Sequence, residues 1–383
     1  MKKPKLNISS LINCAVFFAL LITLPVVTAL LPKKERSEME NKPLQKMPSI
    51  SAKTVFSRKY MNDLETYVSD HFVGRTSWIK SKTVLETSLG KRERNGIYIL
   101  KNRLVEHIAE PDYDSIDKSV NAVNKFASEN DVPVFFMIVP TSAEIYADEL
   151  PQNAPNPNQR DVINYVYRSF GKGITTLDVY PVMESNKYQY IYYRTDHHWT
   201  TRGAYLAYAA AGKKMGYTPL PEDKYDIEHA SDEFQGTFYS KALYDKVEKD
   251  TLDIWHPTAG ENVREVAVTT MYGEEPQLYN SMYFRDYLGV KDKYAAFLGT
   301  NAPIVTIKSD NEGGKLLVIK DSYAHCYAPF LTEHYSEITL IDLRYIQMSY
   351  KQLLDPADYD QVLFLYNASS FMSDTDLRKL AYD

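Results

Sequence analysis

Apolar residues are arranged along the chain in three ways, and each arrangement predicts a different kind of element. From Ile12 to Leu31 the run INCAVFFALLITLPVVTALL carries no charge over twenty residues, enough as a helix to cross a hydrocarbon core of about 30 Å. Elsewhere apolar residues keep helical spacing, at Tyr60, Leu64, Tyr67, Val68 and Phe72, and again at Ile116, Val120, Val123 and Phe126. Each of these sets predicts a helix with one apolar face. Continuous short runs make the third class: Pro133 to Val139 (PVFFMIV) and Lys315 to Ile319 (KLLVI) read as strands covered on both faces.

Placed in order, these elements predict an α/β fold with a central parallel sheet flanked by helices. A helix around Val162, Val166 and Phe170 precedes TTLDV, then come the Tyr-rich YIYYRTDHHWTT and a helix through AYLAYAAAGKKMG. Between about 217 and 310 the pattern changes to short alternating stretches such as VREVAVTTMY, which predict a β-rich insertion on the main sheet. The last third returns to strand and helix order: KLLVI, a helix after Ser322, EITLIDL, a helix through QMSYKQLL, DQVLFLY and a final helix DTDLRKLAY.

The apolar run from 12 to 31 is flanked by Lys2, Lys3 and Lys5 on one side and Lys33, Lys34 and Arg36 on the other, so charge bias hardly decides its orientation. A short tail before it (1–11) and a long chain after it fit a signal anchor with the C-terminal part exported. A cleaved signal peptide is the competing reading, because Val27 and Ala29 have cleavage-like spacing. Residues 32–55 are charged, polar and dotted with Pro, as expected of a stalk, and 56–383 form the folded part.

Composition narrows the functions. A net charge of −6, with no long basic run, offers no counterion-releasing surface and argues against nucleic acid. Two cysteines, Cys14 and Cys326, cannot make a disulfide framework or a Cys-based zinc site. The 31 Tyr suit carbohydrate surfaces and plain packing equally.

Two segments carry candidate chemistry. In KLLVIKDSY a strand ends in Lys320, Asp321 and Ser322 just before a helix. Such a junction puts Ser322 at the C-terminal edge of a parallel sheet, beside helix-start N–H groups that can face an oxyanion. The plainer alternative is that Ser322 or Asp321 only caps the helix. In RTDHHWT an extended chain would project Asp196 and His198 from one face, so that a carboxylate orients an imidazole. Asp196, His197 and His198 as metal ligands are a weaker reading, with no partner motif elsewhere. His325, one helical turn after Ser322, is a rival base.

The pair of motifs, TDHHWT with Asp196 and His198 and VIKDSY with Ser322, resembles the DHHW family of membrane-anchored extracytoplasmic proteins. That family belongs with the alginate O-acetyltransferases in the SGNH-hydrolase-like superfamily. The resemblance runs from SEMENKPLQ through YVSDHFVGR to the DLRY and DQVLFLYN stretches. It implies an SGNH-hydrolase-like sheet and a triad of Ser322 as nucleophile, His198 as base and Asp196 as orienting acid. Lys320 stands where those hydrolases often have Gly. Candidates for oxyanion or substrate binding are Gly236, Asn367, Arg344 and Tyr323, with turn, loop and ion-pair roles as alternatives. The implied activity is O-acyl, in particular O-acetyl, transfer to a cell-envelope or secreted polysaccharide outside the membrane, without a cofactor. A multi-span membrane-bound O-acyltransferase is the expected acyl-donor partner. A carbohydrate esterase with the same triad, or a glycan-binding subunit, are the competing functions.

Overall fold

A computed structural model describes residues 8–382 apart from Tyr272. Lys2, Lys3, Lys5 and most of the expected tail therefore lie outside the described residues, as does Tyr272 at the end of VREVAVTTMY. The chain divides into two units, one of residues 8–91 with Ser240–Asp245 and one of 92–239 with 246–382.

In the first unit the apolar run is a single helix, Ile8–Leu30, with no buried residue and Pro25 inside it. It is long and apolar enough to span a membrane. Helices Lys59–His71 and Arg75–Ser88 follow, joined by a turn in which Gly74 takes φ +67°, a conformation that only glycine adopts without strain. In the segment expected as a stalk, Arg36–Ser37 pairs antiparallel with Lys42–Pro43. Asp70, buried on the first helix, accepts from Lys42 Nζ (3.1 Å) and from the Gln45 N–H (2.9 Å), which fastens this segment to the helix pair.

The second unit is built on an eight-stranded sheet: β1 (Val134–Val139), β2 (Ile174–Thr176), β3 (Val263–Thr269), β4 (Gln277–Tyr279), β5 (Ile304–Ser309), β6 (Lys315–Lys320), β7 (Glu337–Ile341) and β8 (Gln361–Asn367). The spatial order is β4-β3-β5-β7-β6-β8-β1-β2. Strands β2, β1, β8, β6 and β7 are parallel to one another. The continuous apolar runs explain why. Phe135, Met137 and Val139 face one core cluster while Val134, Phe136 and Ile138 face the other, and Leu316 and Val318 likewise oppose Leu317 and Ile319. Each fully buried Phe or Leu stabilises by roughly 1.5–3 kcal/mol, so these strands stay put only with helices on both faces.

Beside these parallel strands the sheet is mixed: β5 pairs antiparallel with β7, β3 with β5 and β4 with β3. These strands belong to the expected insertion, and β3 is buried only at alternate positions, as suits an antiparallel flank with one open face. The rest of the insertion leaves the sheet, with Tyr225–Phe234 and Asp250–Pro257 forming their own antiparallel ladder.

Four helices matter for the site: α1 (Tyr113–Glu129), α2 (Gln159–Ser169), α3 (Thr201–Met215) and α4 (Ala324–Leu331). Asp112 caps α1 by accepting from the Ser115 N–H, and Asn158 caps α2. The helix expected through QMSYKQLL is only a 3-10 turn, Tyr350–Gln352, because Asp355-Pro356 follows at once and leaves no room for an α-helical nucleus. The final helix is also 3-10, Asp376–Ala381.

Candidate active site

The RTDHHWT segment is a tight reversal and not the extended chain that would project Asp196 and His198 from one face. A bridge pairs Tyr192 with Trp199, and the Tyr193 N–H reaches the His198 carbonyl at 3.3 Å. Asp196 makes the turn: its Oδ1 accepts the His198 N–H at 3.0 Å, the Asx geometry that carboxylates favour two residues ahead. The same Oδ1 meets His198 Nδ1 at 2.6 Å. Asp250, from the insertion, braces the loop from below. Fully buried, it accepts from the N–H groups of Arg194 and Thr195, from Thr195 Oγ1 and from Tyr190 OH at 2.5–2.8 Å. Thr200 then caps α3 on the Gly203 N–H, and Gly203 is required there because a Cβ would meet the Ile191 carbonyl at 2.3 Å.

Ser322 follows β6 at the C-terminal edge of the parallel strands. Neither Asp321 nor Ser322 caps α4, which has no side-chain cap; the buried Asp321 braces the turn before the helix instead. Its Oδ1 accepts the Tyr323 N–H at 2.8 Å and its Oδ2 accepts both the N–H and the Nδ2 of Asn367, which ties the end of β6 to the end of β8. The Ser322 hydroxyl is left to His198, with Oγ 2.7 Å from Nε2. Trp199 locks the two segments together, its indole N–H donating to the Tyr323 carbonyl at 3.1 Å, while Tyr323 OH donates to the His197 carbonyl at 2.5 Å. Helices α3 and α4, which continue from the two segments, pack on each other. Asp196, His198 and Ser322 thus form one hydrogen-bonded line, although 124 residues separate the last two.

Burial sets the charges. Burial works to raise the Asp196 carboxyl, but the neighbouring His197 and His198 outweigh it and hold the group well below its usual range. Burial, with His197 adding to it, pushes His198 down to about 4, against the pull of Asp196. Around neutral pH, His198 is therefore a neutral imidazole whose Nδ1 proton is committed to Asp196, leaving Nε2 to accept from Ser322. His197 goes the other way: burial lowers it, yet Asp196, Glu106 and Asp321 lift it above the ordinary histidine value.

Sequence reasoning missed Tyr294. Its ring lies flat on His198, centroids 3.6 Å apart and planes 10° from parallel, and its hydroxyl donates to the Ser322 carbonyl at 3.2 Å. It comes from the insertion, where nothing in the pattern distinguishes it from the other tyrosines. Asp250 was missed for the same reason.

The remaining predicted residues fall as follows. Gly236 packs against the back of Asp196, where a Cβ would lie 2.1 Å from Oδ2, and its own N–H bonds Thr195 Oγ1 at 3.2 Å. It makes room for the carboxylate and does not donate to an oxyanion. Asn367 has its amide hydrogens on Asp321 and Ser370 and caps the helix Ala368–Ser373, so its donors are committed too. The Tyr323 N–H is held by Asp321. Among the described residues the Ser322 N–H has no hydrogen-bond partner. Arg344 grips the buried Asp342 through Nε (2.8 Å) and Nη2 (2.6 Å). His325, the rival base, is engaged by Lys320 Nζ at 2.7 Å and by the Phe297 carbonyl at 3.1 Å, so its ring nitrogens serve a buried Lys320–Asp342 network and not Ser322. The ligand atoms of Asp196, His197 and His198 converge to within 4.8 Å of one another, but a cation there would have to displace the Asp196–His198 bond.

No curated protein matches the sequence. Among solved structures, a DHHW family protein from Eubacterium siraeum superposes with a TM-score of 0.66 at 25% identity, over 75% of this chain and 95% of that one. Bacillus cereus PatB1 superposes with a TM-score of 0.64 at 21% identity, over 73% and 98%. The same protein with a sulfonyl adduct gives 0.61 at 19%, over 73% and 97%. These likenesses place the mixed-sheet α/β fold. Residues 95–341, which include the Asp196–His198–Ser322 line, match the family described as DHHW protein, and the chain belongs to that family.

Proposed function

We propose that the protein is a membrane-anchored extracytoplasmic O-acyltransferase of SGNH-hydrolase-like type that acetylates hydroxyls of a cell-envelope or secreted polysaccharide. The observation that carries this reading is the line from Asp196 through His198 to Ser322, with bonds of 2.6 and 2.7 Å at the C-terminal edge of the sheet. The resemblance of Asp196, His198, Trp199 and the downstream Ser322 to the Asp-x-His-Trp and Ser pattern of the alginate O-acetyltransferases supports the choice of acyl transfer.

In the proposed reaction His198 Nε2 takes the Ser322 proton as Oγ attacks the carbonyl carbon of an acyl donor. The charge that develops on the carbonyl oxygen faces the unengaged Ser322 N–H, and one such donor is worth roughly 2.7–4 kcal/mol of barrier. The leaving group departs with the proton from His198, which leaves an acyl-serine. A sugar hydroxyl then gives its proton to His198 and attacks the ester, and as the acyl–Oγ bond breaks, His198 returns that proton to Oγ and Ser322 is regenerated. The donor arrives through a partner of the multi-span membrane-bound O-acyltransferase kind, with the helix Ile8–Leu30 holding the domain beside it.

The test is discharge of the acyl-serine. After loading with an activated acetyl ester, excess ester is removed and the bound acetyl group is followed by intact mass with and without a polysaccharide fragment. Faster loss with acetate appearing on the fragment supports transfer. Loss at one rate into water, whatever fragment is added, makes the protein an esterase. A chain that never loads but binds the fragment is a binding subunit.

A further inference from the structure

We propose that the helix pair Lys59–His71 and Arg75–Ser88 lies in the lipid headgroup layer, with Trp78 and the apolar groove beside it in contact with the bilayer. The inference rests on the anchor part of the reading above and adds a second membrane contact to it.

The height of the pair follows from a short chain of bonds. Thr28 stands two residues before the end of the helix Ile8–Leu30, which at 1.5 Å per residue is about 3 Å from that end. The Val73 N–H, in the turn between the two helices, donates to Thr28 Oγ1 at 3.1 Å. The Trp78 indole N–H donates in turn to the Val73 carbonyl at 3.2 Å. His71 Nε2 meets the Lys34 carbonyl at 3.2 Å, and the Lys33 ammonium reaches back to the Thr28 carbonyl. A 23-residue helix is about 35 Å long, slightly more than a hydrocarbon core, so its last turn reaches the headgroup boundary, and Val73 and Trp78 are held at that level.

The surface presented there is mainly apolar, with Glu65, Ser69 and Arg75 also in the lining. Met61, Leu64, Val68, Phe72, Trp78 and Ile79 line one groove. On the first helix Met61, Leu64 and Val68 follow i, i+3 and i+7, with Phe72 just past its end, and this face turns to the groove together with Trp78 and Ile79 of the second helix. Trp78 is 58% exposed with its N–H already bonded, so an open ring with a satisfied polar end is offered to the surroundings. Indoles of this kind collect at the membrane interface. Phe56, just before the first helix, is 89% exposed and has Lys53, Arg58 and Lys59 around it, a composition that suits anionic headgroups. Because the groove's height is fixed by bonds to the span itself, lipid is the first partner it meets.

The chain has three tryptophans, and the other two, Trp199 and Trp255, are 0% and 2% exposed within the second unit. The full-length protein is reconstituted in phosphatidylcholine vesicles, with or without bromine on carbons near the headgroup, and its emission is compared. The expected result is that brominated lipid quenches part of the emission, and that Trp78→Phe protein, which reports only the two buried rings, is not quenched. Equal emission in both vesicles would overturn the proposal. Aqueous acrylamide then says what replaced lipid, since quenching means water and protection means a protein, either a second copy or a partner. Co-flotation after alkaline carbonate extraction separates the two levels. Protein that leaves the vesicles refutes the anchor, whereas protein that stays with Trp78 unquenched refutes only the interfacial helix pair.

Discussion

Gly236→Ala is a one-carbon change whose effect follows from the geometry behind Asp196. The added Cβ would stand 2.1 Å from Oδ2, 2.3 Å from Cβ and 2.5 Å from Cγ of Asp196, whereas ordinary contact begins at 3.4 Å, so the carboxylate must retreat by about 1.3 Å. Flexibility cannot absorb that shift. Asp196 is buried and held on both sides, Oδ2 by the Thr237 N–H at 2.7 Å and Oδ1 by His198 at 2.6 Å. Moving it away from Gly236 breaks the first bond and tilts or lengthens the second. A misplacement of about 1 Å in a catalytic array costs on the order of 10² in rate, and full loss of an orienting carboxylate costs on the order of 10⁴. The predicted fall in the rate of Ser322 acylation lies between these. Overpacking should also cost about 1–3 kcal/mol of stability. The assay is a time course of acetyl-enzyme formation from an activated ester by intact mass, beside thermal unfolding. Gly289→Ala, where a Cβ meets nothing within 4 Å, is the control and should leave both unchanged. Acylation of the Gly236→Ala protein at the native rate would refute the claim that Asp196 works through its position against Gly236.

His198 is neutral above about 4 and gains its proton below, so acylation should be lost as pH falls through that value. His197 is one of the groups holding it down, so His197→Gln should move the acid limb of the pH profile upward, and a limb that stays or moves down would contradict this electrostatic reading. Tyr294→Phe keeps the ring over His198 and should lower the acylation rate only slightly, whereas Tyr294→Leu removes a contact worth about 0.5–1.5 kcal/mol and should lower it roughly two- to tenfold, measured side by side. Cys326 is fully buried and burial pushes its thiol up to about 12, so iodoacetamide at mildly alkaline pH should leave it unmodified in the folded protein and alkylate it after denaturation, as read by peptide mass.

Much of this was legible in the sequence because burial on both faces leaves a plain mark. PVFFMIV, KLLVI and DQVLFLY are continuous apolar runs, and all three are central parallel strands. Strand direction leaves no such mark. VREVAVT alternates as any half-exposed strand does, and its antiparallel pairing with β4 and β5 leaves no sign of its own in that pattern. At the site, Asp196 and His198 could be read from local spacing, although a turn and not an extended chain brings them together. Ser322 could be placed from its strand–helix junction. What failed was long-range: Asp250 and Tyr294 come from the insertion, and no local pattern says that either side chain reaches the site. Gly236 and Asn367 were legible as special positions, but their purpose, space for one carboxylate and a tie to another, depended on neighbours distant in the chain.

The account stands or falls on Ser322 as a nucleophile activated by His198. Full-length protein is incubated with an activated acetyl ester and weighed intact, beside Ser322→Ala and His198→Ala versions. One added acetyl group on the native chain, mapped to Ser322 and lost in both variants, is the predicted result. An adduct that persists in Ser322→Ala, or no adduct on the native protein under conditions where the ester acylates other serine enzymes, would contradict it.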